Sequence, residues 1–349
     1  MVRYFYFAIL IGILGGLSFA FFNINSRIVN LSSTAVSSSL QANLIATQFQ
    51  VISRIIDFKK QEPITLIFVG DIMLDRGVAN QIKKNSDYYF PFLKTAEILR
   101  SADLTFGNLE GPISSSGRNQ GSIYSFRAEP SVVEGLRFAG FDVLSVANNH
   151  IMDWGREALE DTVDILEANG IKSIGAGKNF FEANNFTIKE IKGTKVAFFA
   201  FTDLYPKSLE ADVNSAGISS FDAERVKNEI WLIKNLKVAD IVVVSFHWGK
   251  EYETRSNSFQ QKIGRDLINS GADIIIGHHP HVVQEIERYK SGWIAYSLGN
   301  FVFDQNFSDG TKEGLALFAE IRDKKIISFN PLEIKINPYF QPEIVSNHQ

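Results

Sequence analysis

The chain has 349 residues, 45% hydrophobic and 21% charged, proportions that exclude a disordered or fibrous protein. Its 35 lysines and arginines against 39 aspartates and glutamates leave a net charge of −4, which excludes nucleic-acid binding by phosphate neutralisation. Cysteine is absent, so thiol nucleophiles, disulfides and cysteine-held zinc or iron–sulfur centres are excluded as well.

The N-terminal stretch 4–22, YFYFAILIGILGGLSFAFF, carries no charge over 19 residues. As a helix it would rise about 28 Å, close to the thickness of a bilayer core. Arg3 precedes it and Arg27 is the next cation, which by the positive-inside rule leaves the N-terminus in the cytoplasm and the remainder outside. Residues 1–23 therefore read as a single-pass membrane anchor. A cleaved signal peptide is the alternative, because Ser18-Phe19-Ala20 sets small residues at positions −3 and −1 of a cut. The expected location is the cell membrane with the bulk of the chain extracytoplasmic, or secretion if the segment is removed. Residues 24–63, rich in Ser, Thr, Asn and Gln, read as a linker, helical in part around 44–58.

From Ile64 the pattern changes. Continuous apolar runs at 64–69, 142–146, 195–200, 240–246, 273–277 and 293–298 suit strands buried on both faces. Helical periodicity lies between them. Ala158, Leu159, Val163 and Leu166 form one stripe that stops at Gly170, and Val226, Ile230, Leu232 and Ile233 form another. Alternating strand and helix predict one α/β domain over 64–340, with a large central sheet or two packed sheets, and a tail at 341–349.

The polar residues that break this pattern gather at the strand ends, where α/β folds build their sites. Asp71 follows the first run, Asn148-Asn149-His150 the second, His247 the fourth and His278, His279 and His281 the fifth. Ser297 to Asn300 end the sixth. Singly, each has an ordinary structural use: Asp71 as a helix cap, Asn149 in a turn, His247 as a hydrogen-bonded core residue. Three histidines in four positions around Pro280 are different, because protonated rings would repel while neutral nitrogens suit a shared cation. Asp, Glu, Asn and His without Cys suit Mn²⁺, Fe²⁺ or Zn²⁺, as one ion or two. Such a centre polarises a phosphoryl oxygen and activates water, with a nearby His protonating the leaving group.

Six blocks make a resemblance explicit: residues 67–76 (IFVGDIMLDR), 108–113 (NLEGPI), 146–155 (VANNHIMDWG), 246–252 (FHWGKEY), 277–284 (GHHPHVVQ) and 296–303 (YSLGNFVF). In this order they resemble the CapA family of poly-γ-glutamate capsule synthesis, related to the calcineurin-like metallophosphoesterases. The resemblance implies a four-layer αββα sandwich, an external body and a divalent metal site. It implies Asp71, Glu110, Asn149, His247, His279 and His281 as ligands, with His278 replacing His279 if the register slips by one, and His150 as the catalytic proton donor. Arg76 and Arg127 are candidates to bind an anionic substrate by bidentate hydrogen bonds, a surface ion pair being the alternative for each. Asn108, His278 and Asn300 are expected beside the substrate, Asn300 as donor or ligand, and Asp153, Glu251 and Asp304 are expected to support or cap. Met73 departs from the pattern, since it stands where those enzymes usually have a histidine and a thioether is a poor ligand for these ions. Glu110 also departs, standing for an aspartate with one more methylene. Two functions follow: a metal-dependent hydrolase of a phosphate ester or of an anionic polymer, or a non-catalytic polymer-binding or export-assembly component with a degenerate site. The expected partners are that anionic substrate, the membrane and other capsule-synthesis membrane proteins, with no nucleic acid.

Overall fold

The structure is a computed structural model that describes residues 46–48, 50 and 62–345. The expected membrane segment and most of the linker lie outside the described residues. Among the described residues, no helix is long and apolar enough to cross a membrane. Of two compact units, Met1–Lys60 and Gln61–Gln349, the second carries the sheets described below.

Strand β1 (Ile64–Ile72) occupies the middle of an eight-stranded sheet. On one side it pairs in parallel with β2 (Leu104–Leu109), then β3 (Val143–Ser145) and β4 (Lys172–Ile174). On the other it meets the antiparallel strands β14 (Glu313–Arg322), β15 (Lys325–Ile336) and β16 (Pro342–Ile344), and β13 (Asn300–Val302) also pairs with its end. A second sheet of six runs β11 (Ile286–Tyr289), β12 (Gly292–Ala295), β10 (Ile274–His278), β9 (Ile241–His247), β7 (Thr194–Thr202) and β6 (Thr187–Ile191). β5 (Ala176–Gly177) and β8 (Gly217–Ile218) form a small pair apart.

The continuous apolar runs are the parallel central strands, because only a strand covered on both faces can bury every side chain. Leu66, Phe68 and Phe106 of the first sheet meet Phe198, Val243 and Ile276 of the second in a shared core, with the Phe106 and Phe198 rings stacked 5.9 Å apart. The outer face of the first sheet (Ile67, Val69, Leu144) packs on helices Arg76–Asn85, Val133–Ala139 and Gly155–Ala168 through Val78, Leu136, Leu159 and Leu166. The outer face of the second (Phe199, Val242, Ile275) is covered by Ala223–Asn235 and Ser258–Asn269. The latter helix opens on a capping box between Asn257 and Gln260, which satisfies otherwise orphaned backbone donors. The layers thus run helix, sheet, sheet, helix. Two features differ from expectation. The long β14–β15 hairpin, closed by Asp323 and Lys324 at φ of 51° and 63°, was not expected as strands. The sheet also extends through β16, so residues 342–344 belong to the body and not to a tail.

Candidate metal centre

The carboxyl ends of β1, β2, β9 and β10 come together, and the local backbone explains how. Gly70 lies so close to the chain before β13 that a Cβ there would sit 2.0 Å from the Gly299 carbonyl oxygen. The close approach bends β1, whose register with β2 shifts between Phe68 and Asp71, and delivers Asp71 to the junction of the two sheets. Asp71 is fully buried. It accepts hydrogen bonds from Asn108 Nδ2 at 2.8 Å and the His279 amide at 3.2 Å, and Nδ1 of His278 and His281 stand 3.3 and 3.4 Å from it. Burial alone would raise its pKa, but these two imidazoles outweigh burial and hold the carboxyl well below its usual range.

Glu110, just past β2, is buried with no hydrogen bond to either carboxylate oxygen. His281 Nε2 is 3.6 Å away and His150 Nε2 3.9 Å away. Burial, opposed by His281, pushes Glu110 up to about 7. Burial works the other way on His281, yet the charges of Glu110 and Asp71 raise it to about 9. Past β10, His279 and His281 both take positive φ, 95° and 57°, a conformation uncommon outside glycine that marks stored strain. The turn around Pro280 brings the two rings to 5.8 Å. His279 is driven to about 3, first by burial and then by the charge of His281. Ligand atoms of Asp71, Glu110 and His281 lie within 4.8 Å of one another, as do those of Glu251, His279 and His281.

His247 completes the far wall. The network assigns a proton to Nε2, which donates to Asn149 Oδ1 at 2.9 Å, while Nδ1 faces Asn108 Nδ2 at 3.3 Å. Burial, with His279 beside it, keeps His247 well below the ordinary histidine value. His150 is held from behind: Nδ1 bonds Asp153 Oδ2 at 2.7 Å and its ring lies 4.1 Å from Phe126. Nε2 is left facing Glu110 and the cleft. The same Asp153 carboxylate accepts from Ser122 Oγ and from the Phe126 amide, both at 2.9 Å.

The structure therefore brings together Asp71, Glu110, Asn149, His150, His247, His279 and His281. The expected substrate contacts divide. Arg76 lines a cleft of about 200 Å³ with His150, His281, Glu251, Tyr252 and Gln305, although its guanidinium is paired with Asp304 and lies over Phe126 at 4.7 Å. Arg127 does not reach the cleft, since it stacks on Trp154 at 3.4 Å and bonds the Ser116 carbonyl. Asn108 and His278 have no accessible surface with which to touch a substrate; Asn108 braces Asp71 and His247, and His278 sits against Asp71. Asn300 is taken up by its neighbours, accepting from His281 Nδ1 at 2.9 Å and donating to Gln305 and Thr311, so it aims His281. Glu251, expected only to support, is an exposed carboxylate within ligand range of two histidines. Its signal in the sequence was its place four residues past His247 in a strand-end loop. Met73 is buried in the helix-side core, its sulfur accepting the Asp75 amide at 3.1 Å. A larger cleft of about 630 Å³ beside Tyr89, Glu134 and Phe138 lies away from the metal-ligating groups.

The residues fit a cation. Among the described residues, ten buried side-chain polar atoms lack a hydrogen-bond partner, and five belong to Glu110, His278 and His279. Burying such groups unpaired costs several kcal/mol, and a divalent ion would satisfy those of Glu110 and His279. Carboxylate, amide oxygen and imidazole together suit manganese, iron or zinc.

The family model described as "Bacterial capsule synthesis protein PGA_cap" matches residues 65–305. The "Capsule biosynthesis protein CapA" of Bacillus anthracis is 34% identical over 286 residues, covering 79% of this chain and 69% of its own length. The "PGA biosynthesis protein CapA" of Bacillus subtilis is 36% identical over 245 residues, covering 69% of this chain and 63% of its own. Among solved structures, a 5'-nucleotidase precursor from Thermus thermophilus is similar at TM-score 0.47 and 12% identity, covering 81% of this chain and 56% of its own. A calcineurin-like phosphoesterase from Bacillus subtilis is similar at TM-score 0.39 and 15% identity, covering 78% of this chain and 90% of its own.

Proposed function

This chain belongs to the bacterial capsule synthesis protein family, and on that premise we propose that it is an accessory protein of capsule or poly-glutamate synthesis. In this reading residues 1–23 anchor it in the cell membrane, and its body works outside, beside other membrane proteins of the same synthesis. The body is a four-layer αββα sandwich of metallophosphoesterase type that carries a metal-dependent hydrolase site.

One observation carries the hydrolase reading. The Glu110 carboxylate is buried and unbonded between His281 and His150, and nothing in a purely structural role explains that arrangement. Asp71, Glu110, Asn149, His279 and His281 would hold one or two divalent ions, joined by His247 once its Nε2 gives up the proton it shares with Asn149 Oδ1, with Glu251 at the open side. Such an ion supplies polarisation of the substrate's phosphoryl or carbonyl oxygen and activation of water. The chain's own residues do the rest. Asp153 fixes the ring of His150 by accepting from Nδ1, so that Nε2 faces the cleft, and the imidazolium form, which takes its second proton from water, hands the Nε2 proton to the leaving oxygen. Asn300 aims His281 and Asn108 aims Asp71 and His247. Arg76, at the rim, would meet an anionic substrate by exchanging its Asp304 partner.

The full-length chain, purified in detergent, is expected to hydrolyse bis-(p-nitrophenyl) phosphate, with His150→Ala and His279→Ala each losing about 10²-fold or more. Full activity in chelated protein would refute the hydrolase reading. A second reading, polymer binding without turnover, draws on Met73: the position of a usual ligand is turned into the core. It predicts poly-γ-glutamate binding that survives His150→Ala with no turnover of any ester.

A further inference from the structure

A second cleft, of about 460 Å³, adjoins the metal centre. Its lining includes Phe303, whose other side packs on His281 at 4.8 Å, and Gln305, which also lines the first cleft. Gln305 takes a hydrogen bond from Asn300, the residue that aims His281. The two clefts therefore share the Gln305 side chain in their linings. The new cleft is apolar along Phe303, Ile336 and Phe340 and carries two amines, Lys312 and Lys335. Lys312 pairs with Asp309 at 2.7 Å, and Lys335 lines the same cleft as Lys312. Asp309 is 92% exposed, and an exposed pair of this kind contributes little, so an incoming carboxylate exchanges with it at small cost. Glu343, the carboxylate in the cleft lining, stands opposite Lys335 in the β15–β16 register and already accepts from Asn337 Nδ2 at 3.0 Å.

We propose that this cleft is a subsite for the continuing chain of the substrate, a polymer with carboxylates on short apolar spacers. Its reacting end lies at the metal centre, and its next units cross Gln305 to meet Lys312 and Lys335. The apolar floor receives the methylenes and the amines receive the carboxylates, a division that a γ-linked glutamyl chain matches and a compact phosphate ester does not. The inference rests on the reading of the metal centre as the reacting site.

The test measures binding of fluorescent oligo-γ-glutamates of increasing length to the full-length chain in detergent, beside turnover of bis-(p-nitrophenyl) phosphate. Affinity should climb with length in the wild type. The double variant Lys312→Gln/Lys335→Gln should lose that climb, about tenfold for the longer oligomers, with melting temperature and small-diester turnover unchanged. An unaltered length dependence in the variant overturns the subsite. So does equal, equally lysine-dependent binding of α-linked polyaspartate, which would reduce it to charge attraction. Diester turnover with no length dependence sinks the subsite and spares the hydrolase reading. Lysine-dependent length recognition in a chain that turns over nothing does the reverse.

Discussion

Glu110 and His281 are both shifted upward, from different causes: burial lifts the Glu110 carboxyl against the charge of His281, while the charges of Glu110 and Asp71 lift His281 against burial. Their shifts carry through to stability. His281 stands at about 9 against an ordinary 6.5, so its contribution is full below 6.5 and is lost as pH rises through about 9. Glu110, raised from 4.5 to about 7, acts in the same direction, losing its contribution as pH climbs through that interval. His279, lowered to about 3, acts oppositely and withdraws its contribution as pH falls below 6.5. With His247 also held low and likewise withdrawing its contribution below 6.5, metal-free protein should melt highest near pH 6.5 and lose stability steadily towards pH 9. A melting curve in chelator that stays level from pH 6.5 to 9 would contradict this balance of charges. Asp153 gives a second prediction at this scale. Asp153→Asn keeps the volume but removes the negative charge and one of the two acceptor oxygens that seat His150, Ser122 and the Phe126 amide, so kcat should fall by about 10²-fold with KM little changed. A change confined to KM would mean that Asp153 only seats the Ser122–Phe126 loop. The reacting residues were legible because histidines and carboxylates at strand ends are rare and chemically specific. The bracing residues were not. Neighbours such as His278 and His279 differ in which wall they serve, and that depends on a turn with positive φ that composition does not signal.

At the scale of elements, the site is held by close approaches that only glycine permits. A Cβ on Gly70 would meet the Gly299 carbonyl oxygen at 2.0 Å, and one on Gly277 the Tyr296 carbonyl oxygen at 1.9 Å. Neither can be relieved by a side chain moving aside, since both obstacles are backbone. Gly70→Ala should therefore cost about 1–3 kcal/mol or more in urea unfolding and loosen metal affinity by displacing Asp71. Wild-type stability in this variant would show that the two chain segments part freely. The central strands were readable because burial on both faces demands uninterrupted apolar runs, as in Ile241–Phe246. β15 was missed for the converse reason: it is partly exposed along its length, with a burial pattern that never runs continuously, so its residues look like a polar segment.

For the whole molecule, the site belongs to neither sheet alone. Asp71, Glu110 and His150 come from the ends of β1, β2 and β3, and His247, His279 and His281 from β9 and β10. No periodicity says which strands share a sheet, so this division was legible only through the resemblance of the six blocks, whereas the α/β class itself followed from alternation. A cation seated there ties the two sheets together and should raise the melting temperature, because it binds the folded chain and not the unfolded one. The claim beneath all of this is that side chains from both sheets hold a metal. The most direct measurement is the metal content of the full-length chain by mass spectrometry, for the wild type and for Glu110→Gln/His281→Ala. We expect at least one tightly held manganese, iron or zinc per wild-type chain and almost none in a folded double variant. A folded wild type that takes up no divalent metal, or a double variant that keeps its full complement, would contradict it.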